Sequence, residues 1–216
     1  MNSDMTGKVC IVTGASAGIG KQTALGLARL GAAVVMLCRD RDRGEAARRE
    51  IKQKSGNDTI ELMICELGSQ NSIRQFASEF KQRHDRLDVI INNAGVLLRE
   101  RSLTQDGIET TFAINHLGYF LLTNLLLDLL KQSAPSRIVH VASAAHKYGK
   151  LNIAAWMTGA DYSAFGAYAN SNSQTCCSLT CSQEGSKERK SQRTVCILEQ
   201  WELTCFVGCR SSCKRR

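Results

Sequence analysis

The alternation of strand-like and helix-like segments constrains the fold of this chain most. Between residues 8 and 142, short apolar runs rich in β-branched residues alternate with longer amphipathic segments. The strand-like runs are KVCIVTG, AAVVMLC, TIELMIC, LDVIINNAG and SRIVHVAS. The helix-like segments lie near 18–30, 41–54, 70–83 and 107–132. Because such alternation is typical of parallel β-α-β units, the sequence predicts an α/β fold with a doubly wound parallel sheet.

The composition changes abruptly after residue 171. A chain of 216 residues suits one globular domain, and we assign residues 1–171 to it. Three of the ten cysteines lie in predicted strands of this part, where buried thiols are ordinary. The other seven are Cys176, Cys177, Cys181, Cys196, Cys205, Cys209 and Cys213. Residues 172–216 therefore form a separate Cys-, Ser- and base-rich tail, which we predict to be disordered unless it is off-frame.

Charge and hydropathy limit the kinds of partner that the chain can have. The formal net charge is +8, but no basic stripe is interleaved with aromatic residues, so we predict no nucleic-acid partner. The stretch YFLLTNLLLDLL is interrupted by Asn124 and Asp128 and is shorter than the roughly 18 residues of a membrane span, so we predict no transmembrane segment. The N-terminus shows no signal or transit segment, which predicts cytoplasmic residence, with peripheral contact to an intracellular membrane as an option.

A glycine-rich turn, TGASAGIG, follows the first predicted strand and opens the first predicted helix. Gly14 permits the tight turn, Gly18 lets the backbone approach a pyrophosphate, and Gly20 allows close helix packing. The N–H groups at the start of the helix would bind the phosphates. Ser16 and Ile19 of the same turn are further candidates for cofactor binding. The alternative is an ordinary strand-to-helix loop, because a single glycine-rich turn is a weak signal.

The end of the second predicted strand, LCRDRDRGE, bears on the choice of dinucleotide. An acidic residue there would bind a ribose 2′-hydroxyl, whereas Arg39 can pair with a 2′-phosphate. The sequence therefore favours NADP(H) over NAD(H). Two alternatives stay open: Asp40 competes for this role, and Arg39 can be a solvated charge at a strand end.

Five motifs in order resemble the short-chain dehydrogenases/reductases. They are TGASAGIG, NNAG, NHLGYFLLT, RIVHVASAAH and YANS. Within that family, LCRDRDRGEAAR, NHLGYFLLT and the interval from Ser143 to Tyr168 resemble the retinol dehydrogenase branch. The resemblance covers residues 7–171. We expect an NADP-binding Rossmann-type domain whose parallel sheet has the strand order 3-2-1-4-5 and is truncated before the last strands.

The resemblance also implies roles for residues around the adenosine of the cofactor. Asn93, Ala94 and Gly95 of the NNAG motif would line the adenosine side. Glu66 and Leu67 stand where the family usually has Asp-Leu, so the contact with adenine is less certain there.

Three further residues would carry the chemistry if the resemblance holds. Asn115 would organise a proton-relay water, Ser143 would hydrogen-bond the reacting oxygen, and Tyr168 would be the general acid/base. Taken singly, they can also be a polar group of a helix, a strand-end hydroxyl and a packing aromatic. The reaction implied is hydride transfer between NADP(H) and an alcohol or carbonyl on a small apolar substrate such as a retinoid.

The lysine of the family motif is missing. An ordinary phenol ionises with a pKa of about 10, and the family places a lysine ammonium one helical turn beyond the tyrosine to favour the phenolate. That position is Asn172, whose amide brings no charge. Losing about 2.7 kcal/mol of this effect would slow the reaction about a hundredfold. The sequence therefore predicts an impaired oxidoreductase, or alternatively a catalytically dead fragment that binds nucleotide.

A missing nucleotide would explain why the family pattern stops at this position. Lys and Asn codons share their first two bases, so deletion of the third base of a lysine codon can yield Asn172. Cysteine codons begin with TG, so every later cysteine hides Leu, Met or Val in the original frame. We interpret residues 172–216 as read in a shifted frame, which arose in a transcript variant or through a sequence error.

The rival interpretation of the tail is a metal-binding or interaction module. Cys205, Cys209 and Cys213 are spaced by four residues. The tail has no histidine and no C-x2-C pair, so we predict no metal site. Disulfides would need an oxidising compartment, to which no signal peptide leads.

A truncated sheet would leave the fifth strand as an unprotected edge and would favour aggregation. Homodimers occur in the family, but we do not expect one here, because the helix that commonly builds them would be cut short.

Overall fold

The computed structural model describes residues 4–150, 162–184 and 192–199. In these parts of the chain, six strands pair side by side and every pairing is parallel. They are β1 (Val9–Thr13), β2 (Ala33–Cys38), β3 (Ile60–Ile64), β4 (Val89–Asn92), β5 (Ser136–Ser143) and β6 (Gln192–Glu199). The sheet order is β3-β2-β1-β4-β5-β6, so the predicted order of the first five strands is confirmed.

Helices connect the strands. They are α1 (Gly18–Arg29), α2 (Arg41–Ser55), α3 (Gln70–Arg83), α4 (Thr110–Phe112), α5 (Gly118–Leu125), α6 (Leu127–Gln132) and α7 (Ala164–Glu184). A π-helical turn, Ala113–Leu117, joins α4 to α5, and a 3₁₀ turn, Ala144–Tyr148, follows β5. The single helix predicted over 107–132 is thus divided, by the π-helical turn and again at Leu126, where φ is −102° and ψ is 3°.

The chain continues in regular structure beyond residue 171. Helix α7 extends to Glu184, and β6 pairs with the whole of β5, from Ser136 opposite Gln192 to Ser143 opposite Glu199. The run RTVCIL in β6 is rich in residues that favour strands, which gives a physical reason for this pairing. Strand β5 is therefore not the unprotected edge that the sequence predicted. Cys205, Cys209 and Cys213 lie outside the described residues.

The two faces of the sheet each bury an apolar cluster, because successive strand residues point to opposite faces. On one face, Phe76 and Phe80 of α3 belong to the same cluster as Ile90 of β4. On the other face, Ile51 of α2 belongs to the same cluster as Met36 of β2. Both faces are covered, as expected for a doubly wound sheet. The carboxyl ends of the strands stay uncovered and border the site described below.

A buried carboxylate fixes the start of β4 beside β1. The Asp88 side chain is 3% exposed and accepts hydrogen bonds from the Val9 amide at 2.9 Å, Lys8 Nζ at 3.0 Å and Arg86 Nη2 at 2.7 Å. Burial opposes ionisation of this carboxyl, but the hydrogen bonds from Arg86, Val9 and Lys8 outweigh burial and lower the pKa of Asp88. The charged form therefore stabilises the central pair of strands.

Replacing Asp88 by Asn should reduce the free energy of unfolding at neutral pH by about 2 kcal/mol, since charge-assisted hydrogen bonds are lost. Because folding lowers the pKa of Asp88, its contribution is complete above the unfolded value of about 3.9 and is lost as the pH falls through the folded value. Urea denaturation at several pH values should therefore show the gap between the D88N variant and the wild type closing below about pH 4.

The matched control is Asp128→Asn, because the Asp128 side chain is 83% exposed and its partner Lys131 lies 3.9 Å away. We expect this control to change the free energy of unfolding by less than about 0.5 kcal/mol. Equal effects of D88N and D128N would contradict the role given to Asp88.

Candidate functional site

A cavity of about 530 Å³ opens at the carboxyl ends of the strands. Twelve of the predicted site residues line it: Gly14, Ser16, Gly18, Ile19, Arg39, Glu66, Leu67, Asn93, Ala94, Gly95, Asn115 and Tyr168. Gly20 and Ser143 do not border the cavity directly. Residues from six separate parts of the sequence thus meet at one edge of the sheet, which is where ligands bind in open α/β sheets.

Close backbone packing forms the floor of the cavity behind the glycine-rich turn. Gly14 has a φ of 67°, and a Cβ atom on it would lie 2.8 Å from Ala94 Cα. A Cβ atom on Gly20 would lie 2.5 Å from the carbonyl oxygen of Gly14. No larger residue fits at either position without moving backbone. Gly20 therefore packs closely against the turn, although it does not itself border the cavity.

Thr13 ties the turn after β1 to the loop after β4. Its Oγ1 accepts hydrogen bonds from the amides of Asn93 at 2.8 Å and Ala94 at 2.9 Å. Asn93 Nδ2 in turn donates to the Thr13 carbonyl at 2.9 Å. These bonds hold together the two loops that line the cavity at this point. Thr13 is the first residue of the TGASAGIG motif, and this role was not predicted for it.

The start of α1 has the character of an anion site. Its N-cap residue is Ala17, which forms no side-chain cap, and its first turn contains no acidic residue. By contrast, Asp40 caps α2 and Ser69 caps α3. Because the first N–H groups of a helix lack partners within the helix, those of α1 remain available to a ligand in the cavity. The geometry fits the phosphates of a dinucleotide.

Four charged residues border the cavity at the ends of β2 and β3. Asp40 Oδ1 accepts a hydrogen bond from the Arg43 amide at 2.9 Å, so one oxygen of this carboxylate is already used as a helix cap. Arg39 Nε lies 3.7 Å from Glu66 Oε2, and the Arg39 side chain is 69% exposed. The second guanidinium, that of Arg43, also lines the cavity and was not predicted. It lies one helical turn beyond Arg39, in the first turn of α2.

Asn115 lies in the π-helical turn and is held from several directions. Its Oδ1 accepts from the Val96 amide and its Nδ2 donates to the Val96 carbonyl, both at 2.9 Å. Nδ2 also donates to Ser171 Oγ at 3.2 Å. The Asn115 carbonyl accepts from Thr175 Oγ1 at 3.1 Å. These contacts fix the turn between the β4 loop and α7, and they give a tertiary reason for the break in the predicted helix.

Asn172 connects the end of β5 to α7. Its Oδ1 accepts from the Ser143 amide at 2.7 Å, and its Nδ2 donates to the Tyr168 carbonyl at 2.9 Å. The residue is 7% exposed, and it lines the cavity together with Tyr168. The Ser143 hydroxyl accepts from the Ala145 amide at 3.2 Å and so caps the 3₁₀ turn. Both polar groups of the Asn172 amide are thus used to hold backbone.

Two buried groups beside the cavity are unsuited to proton transfer near neutral pH. Tyr119 lines the cavity, but its hydroxyl donates to the Ala94 carbonyl, and burial raises the pKa of this phenol. Burial lowers the pKa of His140 to about 4, and its ring lies 5.8 Å from that of Tyr119. Neither residue was predicted: Tyr119 lies within NHLGYFLLT and His140 within RIVHVASAAH, but neither motif was assigned a role at these positions. Tyr168 is the other phenol that borders the cavity.

Comparison with known proteins identifies relatives for this arrangement. The family model described as short chain dehydrogenase matches residues 8–160. Retinol dehydrogenase 11 of Mus musculus is 47% identical over 170 residues, which are 79% of this chain and 54% of that protein. Retinol dehydrogenase 13 of Homo sapiens is 49% identical over 146 residues, which are 68% of this chain and 44% of that protein. The chain spans about half the length of the curated relatives it matches.

Solved structures share the fold. A short chain dehydrogenase from Shigella flexneri 2a, complexed with NADP, is 26% identical with a TM-score of 0.72; the match covers 92% of this chain and 79% of that one. A protein from Mycobacterium paratuberculosis is 33% identical with a TM-score of 0.75, over 92% of this chain and 70% of that one.

Two further findings bear on the sequence predictions. Among the helices of the described ranges, none combines the length and the apolarity needed to cross a bilayer. Within the same ranges, no three His, Cys, Asp or Glu side chains cluster as metal ligands would.

Replacing Asn172 by Ala should lower the free energy of unfolding by about 1–2 kcal/mol, because the Ser143 amide and the Tyr168 carbonyl lose a buried partner. Asn124→Ala is the matched control, since Asn124 Nδ2 donates to the Phe120 carbonyl four residues back but on an exposed part of α5. Thermal or urea denaturation should show little change for N124A. A neutral N172A variant would show that the amide contributes nothing to holding β5 and α7 together.

Proposed function

Since the chain belongs to the short-chain dehydrogenase family, an oxidoreductase family, we propose that it binds NADP(H) and interconverts an alcohol and a carbonyl on an apolar substrate, with impaired turnover. The observation that carries the proposal is the shared cavity. The glycine-rich turn, Arg39, Tyr168 and Asn172 all border it.

The residues at the nucleotide end of the cavity fit NADP(H). The turn containing Gly14 and Gly18 and the uncapped start of α1 would hold the pyrophosphate. Arg39 and Arg43 would meet the 2′-phosphate, whereas Asp40, the competing acid, already caps α2. The NADP complex of the Shigella flexneri relative supports the choice of this cofactor. We assign Glu66, Leu67 and the Asn93–Gly95 loop to the adenosine.

The residues at the other end of the cavity would handle one proton. The cofactor supplies or accepts the hydride when bound. Tyr168 would exchange the proton with the substrate oxygen, because it borders the cavity and its backbone is held by Asn172. Ser143 lies at the end of β5 and would have to release its bond to the Ala145 amide to reach that oxygen. Asn115 would organise a proton-relay water, and its carbonyl is already bonded to Thr175.

The weak point of the proposed reaction is the environment of Tyr168. The amide of Asn172 carries no charge and already bonds to the Ser143 amide and the Tyr168 carbonyl. It therefore offers the phenol no ammonium, and its Nδ2 is held by the Tyr168 carbonyl. This argument supports impaired turnover, and it also supports the second candidate function, nucleotide binding without catalysis.

The substrate class is proposed from the relatives. Retinol dehydrogenases 11 and 13 are similar to this chain to nearly the same degree, with 47% and 49% identity. Their names point to a retinoid or another apolar alcohol or aldehyde. Cytoplasmic residence with peripheral membrane contact stays a prediction, and so does the expectation that the chain forms no homodimer.

The decisive experiment offers the purified protein NADPH and all-trans-retinal. We expect saturable NADPH binding, and turnover about a hundredfold below that of a relative with the lysine. Tyr168→Phe is the control for background, because it removes only the hydroxyl. Turnover above the Y168F background would reject the binding-only alternative. NADPH binding with turnover equal to that background would reject the oxidoreductase.

Asn172→Lys alone should leave turnover near the wild-type level. If residues after 171 are read in a shifted frame, the rest of the active-site surroundings is altered as well, and the lysine would also remove the bonds that Asn172 makes to Ser143 and Tyr168. Single-turnover reduction of retinal measures the effect. Recovery by the point substitution would refute the frame-shift interpretation of lost function.

A further inference from the structure

Arg39 and Glu66 are brought together by the pairing of β2 with β3. The strands run parallel with Cys38 opposite Ile64, and the Cys65 amide donates to the Cys38 carbonyl at 2.9 Å. Arg39 follows Cys38 and Glu66 follows Cys65, and both of these charged residues border the cavity. Their meeting is therefore built into the register of the sheet and does not depend on a flexible loop.

Two bonds hold Glu66 in a fixed position. Its amide donates to Ser72 Oγ and its Oε1 accepts from the Gly68 amide, both at 2.9 Å. The second carboxylate oxygen, Oε2, lies 3.7 Å from Arg39 Nε. One oxygen is thus anchored on backbone while the other faces the guanidinium. The family usually has the shorter Asp here, so the extra methylene group of Glu66 extends the carboxylate.

The charges at this end of the cavity balance. Arg39 and Arg43 contribute two positive charges, and Asp40 and Glu66 contribute two negative ones. Asp40 is committed to the cap of α2 through the Arg43 amide. Glu66 is the acid that faces Arg39, the residue proposed to meet a 2′-phosphate. A bound phosphate would have to share that guanidinium with a carboxylate.

We infer that Glu66 is a specificity-determining residue, which weakens the preference for NADPH over NADH by pairing with Arg39. The inference rests on the proposed binding of NADP(H). NADH has no 2′-phosphate, so its affinity depends little on whether Arg39 is paired. Removing the Glu66 charge should therefore strengthen the binding of NADPH relative to that of NADH, whereas any change in the adenosine contact assigned to Glu66 affects both nucleotides alike.

The test is Glu66→Gln, which keeps an oxygen for the Gly68 amide and removes the charge. Dissociation constants for NADPH and NADH are measured by nucleotide fluorescence or calorimetry at low salt, with no substrate present. We expect E66Q to lower the ratio of the NADPH Kd to the NADH Kd about two- to fivefold, because a change in the adenosine contact alters both constants alike and cancels in the ratio. An unchanged ratio of the two constants would overturn the inference.

Glu79→Gln is the matched control. Glu79 Oε2 lies 3.8 Å from Arg83 Nη2 on α3, the Glu79 side chain is 45% exposed against 39% for Glu66, and Glu79 does not line the cavity. It therefore reproduces the change in net charge and the loss of a similar ion pair. An equal gain in NADPH affinity for E79Q would show a general charge effect and would overturn the inference.

The Arg39→Ala variant tests whether Glu66 affects NADPH binding through its pairing with the Arg39 guanidinium. In R39A, adding E66Q should no longer change the ratio of NADPH to NADH affinity, because the pair has already been removed. A full E66Q effect in R39A would overturn the pairing and show direct repulsion of the phosphate. Wild-type protein that binds neither nucleotide would refute the proposed function and the inference with it. Binding of NADPH with unaltered selectivity in E66Q refutes the inference alone.

Discussion

The closeness of two backbone loops, one after β1 and one after β4, is the constraint on which the site depends. Gly14 leaves room for Ala94, and the Thr13 hydroxyl binds the amides of Asn93 and Ala94. Asp88 aligns the other end of β4 with β1 through the Val9 amide. Because both ends of this central strand pair are fastened, the cavity has a rigid floor on which the neighbouring loops place their side chains.

The fold was largely predictable because its signal is local and repeated. Alternating apolar runs and amphipathic segments were enough for the doubly wound parallel sheet, whereas the order of its first five strands came from the family resemblance. The break of the helix at Ala113–Leu117 was not predictable, since its cause is the contact of Asn115 with Val96 and Thr175, which are distant in sequence. Strand β6 was not predicted, because its apolar run is short and lies within a polar, Cys-rich tail that has no strand-helix alternation.

The site residues whose roles a motif implies were predictable from the sequence. Those that reach the cavity only through the fold were not. Spacing identified the glycine-rich turn and Tyr168, and the structure brings them to one cavity. Arg43 and Tyr119 lie within quoted motifs that gave them no role, and they reach the cavity because α2 and α5 begin beside it. For Asn172, the sequence indicated a missing charge, but only the structure shows where the amide bonds.

The two hydrogen bonds of Asn172 have a consequence for the position of the phenol. Asn172 and Tyr168 lie on the same helix, so the bond from the Ser143 amide to Asn172 Oδ1 ties the end of β5 to the turn of α7 that carries Tyr168. A displacement of this turn away from β5 would break that bond. The residue that lacks the charge expected here therefore limits how far Tyr168 can move within the cavity.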